Sequence, residues 1–213
     1  MKDLNPQRAR IFRVVHISNL PSILDHGGLQ CQNSADRDPA YVNIGNSSLI
    51  DKRMRRYVPI PPGGPLSDYI PFYFTPFSIM MYNIKTGYGG ITRRDNTDIV
   101  MFVSSIHRLD ELGVPFVFTN QHAYAVDTEF YNDLQHLGEI DWQLLQRRDF
   151  KTDDNDPGKQ LRYQAEALIH KYMPLKAILG IVCVNDVVRG SLESLLDQRS
   201  IELAVRSMPT WYF

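Results

Sequence analysis

The sequence predicts an α+β fold built on a largely antiparallel or split sheet. Strand-like runs rich in β-branched and aromatic residues are mixed with short helical segments. Neither glycine fingerprint of the nucleotide-binding α/β folds, G-x-G-x-x-G or G-x-x-x-x-G-K-[ST], occurs. The 213 residues, 43% of them hydrophobic, suffice for one domain with a sizeable core.

The elements follow in order. Ile11, Phe12, Arg13, Val14 and Val15 form a first strand. Residues 19–28 read as a short helix with Pro21 in its first turn and Gly27-Gly28 closing it. Residues 30–48 are polar and irregular, a loop, and a short helix over 47–55 carries most of the basic cluster at 52–56, Lys52, Arg53 and Arg55, with Arg56 just beyond it. After the Pro61-Pro62-Gly63-Gly64-Pro65 turn comes a strand over 70–75, then a helix from Ser78 to Gly87. Gly87-Tyr88-Gly89-Gly90 signals a hairpin. Residues 99–103 and 116–118 are buried-type strands, and helical pieces are expected near 127–136 and 141–147. A strand or its approach covers 164–169, followed by a strand over 177–184, a helix over 187–199 and a last strand over 201–205.

Composition excludes several classes. A net charge of -1 says nothing for nucleic-acid affinity on average, but the basic islands at 52–56 and Arg93-Arg94 and the acidic turn at 153–156 distribute the charge unevenly. Cys31 and Cys183 are far apart and lack metal-ligand spacing, so neither a disulfide scaffold nor a metal site is expected. No apolar run of membrane-spanning length and no signal-peptide pattern is present, which places the chain in the cytoplasm, away from membranes. The segment 119–159 is long for a loop yet carries Tyr124, Phe130, Tyr131, Trp142 and Phe150, too aromatic for disorder; a recognition element fits.

The chemistry centres on Gln164-Ala165-Glu166. In a strand, i and i+2 share a face, so an amide and a carboxylate would project together. Such a pair can grip ribose hydroxyls and steady a sugar cation; the same spacing also suits a plain surface glutamate on a strand edge. Arg53 is either one cation of a solvated face or a planar fork for pyrophosphate or a base edge. His16, between a strand and a Pro-opened helix, is a structural or a ligand-contacting histidine. Tyr73 and Tyr82 are core aromatics or stacking platforms for a flat heterocycle. His122 is equally open, and Arg13 could reach a phosphate or sit on an edge.

Several motifs occur in register: Val15-His16-x-x-Asn19-Leu20-Pro21-x-Ile23-Leu24, Ile44-Gly45-Asn46, Lys52-Arg53 before Val58-Pro59, Asp68 to Pro76, Phe116-Val117-Phe118-Thr119 with His122-Ala123, and Gln164-Ala165-Glu166. Together they resemble the DarT family, the DNA ADP-ribosyltransferase toxins of DarT–DarG toxin–antitoxin systems, over nearly the whole chain. The resemblance implies one ADP-ribosyltransferase domain over 1–213, with a split, mostly antiparallel β core and NAD in its cleft. It implies sequence-specific transfer of ADP-ribose from NAD to a base in single-stranded DNA, thymine in the closer branch and guanine in another; an RNA or protein acceptor, or a non-catalytic NAD- or nucleic-acid-binding module, are the alternatives. It needs no metal, and the partner it implies is a DarG-type macrodomain antitoxin.

Under this resemblance Glu166 is the catalytic glutamate that binds the nicotinamide ribose and stabilises charge as nicotinamide leaves. Arg53 matches the arginine that helps remove the acceptor proton; a guanidinium is a poor free base, so it would act by electrostatics, by orientation, or only when strongly desolvated. Residues 34–56 match the NAD-binding loop and 122–166 the loop that presents DNA. Arg13, Val14, Val15, His16, Gly45, Tyr73 and Tyr82 are the implied NAD contacts. His122, Tyr124, Arg55, Arg162 and Gln164 are the implied DNA contacts. Arg13 stands where many relatives carry a histidine, so its task can pass to Arg13 itself, to His16 or to the backbone of Val14 and Val15.

Overall fold

A computed structural model describes residues 3–213. Ten strands form an eight-stranded sheet and a two-stranded ribbon. The strands are β1 (Arg10–His16), β2 (Gly28–Gln30), β3 (Tyr69–Tyr73), β4 (Ile99–Ser105), β5 (Phe116–Thr119), β6 (Phe130–Tyr131), β7 (Glu166–His170), β8 (Tyr172–Pro174), β9 (Gly180–Cys183) and β10 (Val205–Ser207). The helices are α1 (Leu20–Asp25), α2 (Ser47–Arg53), α3 (Ile79–Thr86), α4 (Ile106–Glu111), α5 (Trp142–Arg147), α6 (Lys159–Arg162) and α7 (Asp186–Asp197). The large sheet runs β10-β9-β4-β1-β3-β7-β5-β6, and β2 pairs β8. Every pairing is antiparallel except β9–β10, which α7 bridges.

The sheet is split in its middle. β1 and β4 are in register along seven residue pairs, and β3 and β7 along five. Between these two halves, β1 and β3 meet only at Phe12↔Tyr73. Past that contact the strands part, and the exposed backbone needs other partners. Arg13 supplies one, its Nη1 donating to the Pro71 carbonyl at 2.7 Å. The gap is where the cleft opens.

Core packing follows the strand alternation. Val14, Met101 and Val182 share a register row and pack beneath α3 with Met81 and Ile84. Phe72, Ala167 and Phe118 form another row inside the main cluster, where Phe74 meets Trp142 edge-on at 5.5 Å between centroids. Leu168 and Val117 point the other way, onto Tyr69 and Val58.

Several elements depart from expectation. Gly87 to Gly90 is no hairpin: Gly87 is the left-handed cap of α3, and a 3-10 turn over Tyr88–Gly90 follows. A hairpin needs two neighbouring strands, and the following strand, β4, pairs with β1 instead. β10 lies over Val205–Ser207 rather than 201–205, because only there does the chain meet β9. The helical piece near 127–136 is a 3-10 segment over Leu134–Glu139, preceded by the short β6. β2, β8, α4 and α6 were not anticipated. Gly28, expected to close a helix, instead lies so close to β8 that an added Cβ would fall 2.2 Å from the Met173 carbonyl oxygen.

Candidate active site

The cleft is walled by β1, β3, the loop before α2, α2 itself, α3 and the start of β7. Glu166 opens β7, directly opposite Tyr73 in register. Its side chain is 2% exposed. Three groups face the carboxylate. Arg53 Nη1 donates to Oε2 at 2.9 Å, the Ala123 N–H donates to Oε1 at 2.9 Å, and His122 Nδ1 lies 3.8 Å from Oε1. Burial pushes the Glu166 pKa up, but the Arg53 charge, then His122 and the Ala123 N–H, outweigh it and hold the carboxyl below the usual glutamate value. Glu166 is therefore anionic at neutral pH.

Arg53 reaches Glu166 from the last turn of α2, a helix that Asn46 caps by accepting the Leu49 N–H. The basic run thus sorts by face: Arg53 is buried, while Lys52 and Arg55 are exposed. His122 Nδ1 accepts the Tyr124 N–H at 3.1 Å, which places the proton of a neutral ring on Nε2. Its contact with Glu166 becomes an ion pair only when the ring is doubly protonated. Burial, then the Glu166 charge, drives the Tyr73 pKa upward, so the phenol stays neutral. Its OH contacts Met80 Sδ at 3.8 Å.

The cavity is cationic on balance. Arg13, Arg37 and Arg53 line it against the single carboxylate of Glu166. Arg37 is steadied by Asn43, 2.7 Å from its Nη2, and by the Tyr41 ring, 4.4 Å beneath its guanidinium. Arg13 Nε, Arg53 Nη2 and Asn83 Oδ1 are buried without a partner, and all three residues line this cavity. Buried polar groups are nearly always satisfied, so three orphans around one cleft mark where a polar ligand belongs. Their chemistry suits NAD: guanidinium donors for pyrophosphate and an amide for a carboxamide or amino group.

The sequence-predicted residues divide. Arg13, Val14, Gly45, Arg53, Tyr73, His122, Gln164 and Glu166 line the cavity. Gln164 arrives differently from expectation: it lies in the turn after α6, where its N–H donates to the Leu161 carbonyl, and not on a strand beside Glu166. The expected NAD contacts Val15, His16 and Tyr82 are not brought there. Val15 is buried in the main core. His16 caps the 3-10 turn Ile17–Asn19 through the Ser18 N–H. Tyr82 faces outward from α3 onto Phe150 and Phe213, because α3 turns Met80 and Asn83 to the cleft instead.

Among the expected DNA contacts, Tyr124 and Arg55 are surface residues that do not line the cavity. Arg162 is committed elsewhere, forked onto Asp156 at 2.6 and 3.1 Å with Nε 3.4 Å from Asp141. Arg37, Tyr41, Asn43, Met80 and Asn83 were not singled out from sequence. The first three sit in the loop over 30–48, whose mixture of Arg, Tyr and Asn between polar residues was the available signal.

A split antiparallel sheet with a buried glutamate in an arginine-lined cleft defines an NAD-consuming ADP-ribosyltransferase. The chain belongs to the DarT family, described as "ssDNA thymidine ADP-ribosyltransferase, DarT", which matches residues 12–213. It is 50% identical over 210 residues to a DNA ADP-ribosyl transferase of Escherichia coli O127:H6, spanning 99% of this chain and 96% of that one. The structure superposes on Thermus sp. 2.9 DarT in complex with ADP-ribosylated ssDNA with a TM-score of 0.90, at 30% identity over 98% of each chain. With the same protein in complex with NAD+ the TM-score is 0.86, at 30% identity over 98% of this chain and 100% of the other. A DNA ADP-ribosyl transferase–DNA ADP-ribosyl glycohydrolase fusion protein of Thermosipho africanus is 22% identical over 98% of this chain and 50% of its own length.

Proposed function

We propose that this chain transfers ADP-ribose from NAD to a thymine in single-stranded DNA, and that it is the toxin of a toxin–antitoxin pair. The observation that carries the reading is Glu166, anionic, buried and held at both oxygens in a cleft with unsatisfied donors. As the bond from nicotinamide nitrogen to ribose C1′ breaks, the pair of electrons leaves with neutral nicotinamide and positive charge grows on the sugar. A fixed carboxylate in a site of low dielectric stabilises that charge, and its free lone pairs accept a ribose hydroxyl. Arg37 and Arg13 suit the pyrophosphate, and Tyr73 walls the nicotinamide side, opposite Glu166.

The acceptor ring nitrogen then bonds to C1′ and releases its proton, so the products are the adduct, nicotinamide and one proton. A guanidinium is a poor base, so Arg53 is not the group that takes the proton. Its orphaned Nη2 suits a carbonyl flanking the acceptor nitrogen, where a donated hydrogen bond makes the ring N–H more acidic. That nitrogen is free only in unpaired DNA, consistent with a single-strand substrate. Tyr124, Tyr57 and Met54 are exposed, and Arg56 ties their two segments together by donating to the Ala125 carbonyl at 3.1 Å; with Arg55 they offer a stacking and charged surface for the strand. Among the described residues no helix is long and apolar enough to cross a membrane; we place the reaction in the cytoplasm. The existence of a transferase–glycohydrolase fusion supports a DarG-type macrodomain hydrolase as the antitoxin.

Incubation with NAD and oligonucleotides that contain a single thymine or a single guanine, read by mass spectrometry, tests the proposal. The expected product is ADP-ribose on the thymine strand. Label on guanine alone would reassign the branch, and label on neither would reject DNA as the acceptor.

A further inference from the structure

Glu166 is held by more than its side chain. β5 and β7 are in register at Phe116↔Ile169, Val117↔Leu168 and Phe118↔Ala167, and the ladder ends there. The next position would set Thr119 against Glu166. On its other edge β5 goes on pairing with β6, at Phe118↔Tyr131 and Thr119↔Phe130. Where the β7 ladder stops, the fully buried Thr119 hydroxyl takes over from the backbone. Its oxygen accepts the Glu166 N–H at 3.1 Å, and its proton is donated to the Gln121 carbonyl at 2.6 Å. The turn it holds presents the Ala123 N–H to Glu166 Oε1 and the His122 ring 3.8 Å from the same oxygen.

We propose that Thr119 is a positioning residue for the transfer reaction: its hydroxyl sets the distance between the carboxylate of Glu166 and the His122–Ala123 turn. A methyl in place of the hydroxyl would leave two buried backbone groups, the Glu166 N–H and the Gln121 carbonyl, without partners. The turn would relax, and the Ala123 N–H would move from Oε1. Neither Thr119 nor Gln121 lines the cleft, so NAD affinity is spared while the chemical step is not. Misplacement of a reacting group by an ångström can cost about a hundredfold in rate.

The proposal rests on the reading that this site cleaves the nicotinamide bond, and its test therefore reads nicotinamide release with and without oligonucleotide as well as DNA transfer. Thr119→Val, nearly isosteric, and Thr119→Ser, which keeps the hydroxyl, are compared with the unsubstituted protein. Thr119→Val is expected to lower kcat by about tenfold to a hundredfold with the Kd for NAD within about twofold, while Thr119→Ser restores kcat. The acid limb of the rate profile should move to higher pH in Thr119→Val, since the carboxylate loses the Ala123 N–H. Unchanged kcat in Thr119→Val, an equal loss in Thr119→Ser, or a fall in kcat with no movement of the acid limb would each overturn it. Should Thr119→Val fail to fold, the Ser variant decides alone: normal kcat and acid limb support the hydroxyl, and impairment of either overturns it. If the unsubstituted protein releases nicotinamide but modifies no DNA, the acceptor assignment fails while Thr119 remains tested.

Discussion

Two arginine–carboxylate pairs of similar length behave as opposites in this molecule. Arg53–Glu166 closes at 2.9 Å and Arg162–Asp156 at 2.6 Å. The first is 10% and 2% exposed, the second 37% and 39%. Arg53 keeps a buried Nη2 with no partner, whereas Arg162 directs three nitrogens at Asp156 and Asp141. Distance does not separate the pair we propose for catalysis from one that ties surface segments together. Burial and unused hydrogen-bonding capacity do, because a charge taken out of water acts strongly on whatever enters beside it.

The largest expected effect follows directly. Glu166→Gln keeps the shape and removes the charge, so DNA transfer should fall by about a hundredfold to a thousandfold with NAD still bound, as measured by initial rates and by calorimetric titration. A variant that retained even a third of the rate would show that the carboxylate is not the group stabilising the sugar cation. Arg53→Ala should combine lost activity with lost stability, about 3–5 kcal/mol in denaturant unfolding, since it strands Glu166 as an unpaired buried anion. Arg53→Ala,Glu166→Gln should recover much of that stability and none of the activity; absence of recovery would mean that the two side chains are not energetically coupled.

Arg13 gives an intermediate case. It is a cleft residue whose Nη1 is engaged with Pro71 while its Nε is not. Arg13→Met is expected to weaken NAD binding by about tenfold to a hundredfold, the worth of one hydrogen bond to a charged group, and to leave kcat at saturating NAD largely intact. An unaltered Kd would reduce Arg13 to a staple across the split in the sheet.

The contrast between the pairs also explains what could be read beforehand. The α+β class, the split sheet and Glu166 were legible, because strands with β-branched runs and motifs in register along the chain point to them. What failed were inferences that needed a partner. Gly87 to Gly90 has hairpin composition but no second strand to pair with. Gln164 seemed to share a strand face with Glu166, yet α6 ends in a turn there, and both still reach the cleft. Tyr82 and Met80 are two positions apart on α3, and only the packing of that helix decides which one faces the cavity. Arg162 reads in the sequence as an uncommitted cation because nothing local reveals that Asp156 and Asp141 converge on it. A charge can be counted in a sequence; whether it is already neutralised cannot.

Acid sharpens the same distinction. Glu166 has its pKa held below the ordinary 4.5 by Arg53, His122 and the Ala123 N–H against the opposing effect of burial. The unfolded chain therefore takes up this proton first as pH falls. The stabilisation is fully present above the unfolded value and is lost as pH drops through the lower folded one. The difference in unfolding free energy between the unsubstituted protein and Glu166→Gln should be flat from neutral pH to about pH 5 and shrink below it. A difference that instead grows on acidification would mean that burial has won and the carboxyl is raised.

The smallest effect is expected at the exposed pair. Arg162→Ala frees Asp156 and Asp141, but both are already in contact with water, so no buried charge is stranded. The unfolding midpoint should shift little at physiological salt, and any shift at low salt should fade as the ionic strength rises, since exposed ion pairs are screened. Initial rates at saturating NAD and oligonucleotide should stay within about twofold of the unsubstituted protein, a bound set by the small worth of such pairs. The informative measurement is the KM for the oligonucleotide. If Arg162 only ties α6 to the acidic turn, KM stays put. If KM rises severalfold and the rise steepens with salt, then the fork opens onto phosphate when DNA arrives, and saturation in the free enzyme would not separate structural from functional arginines after all.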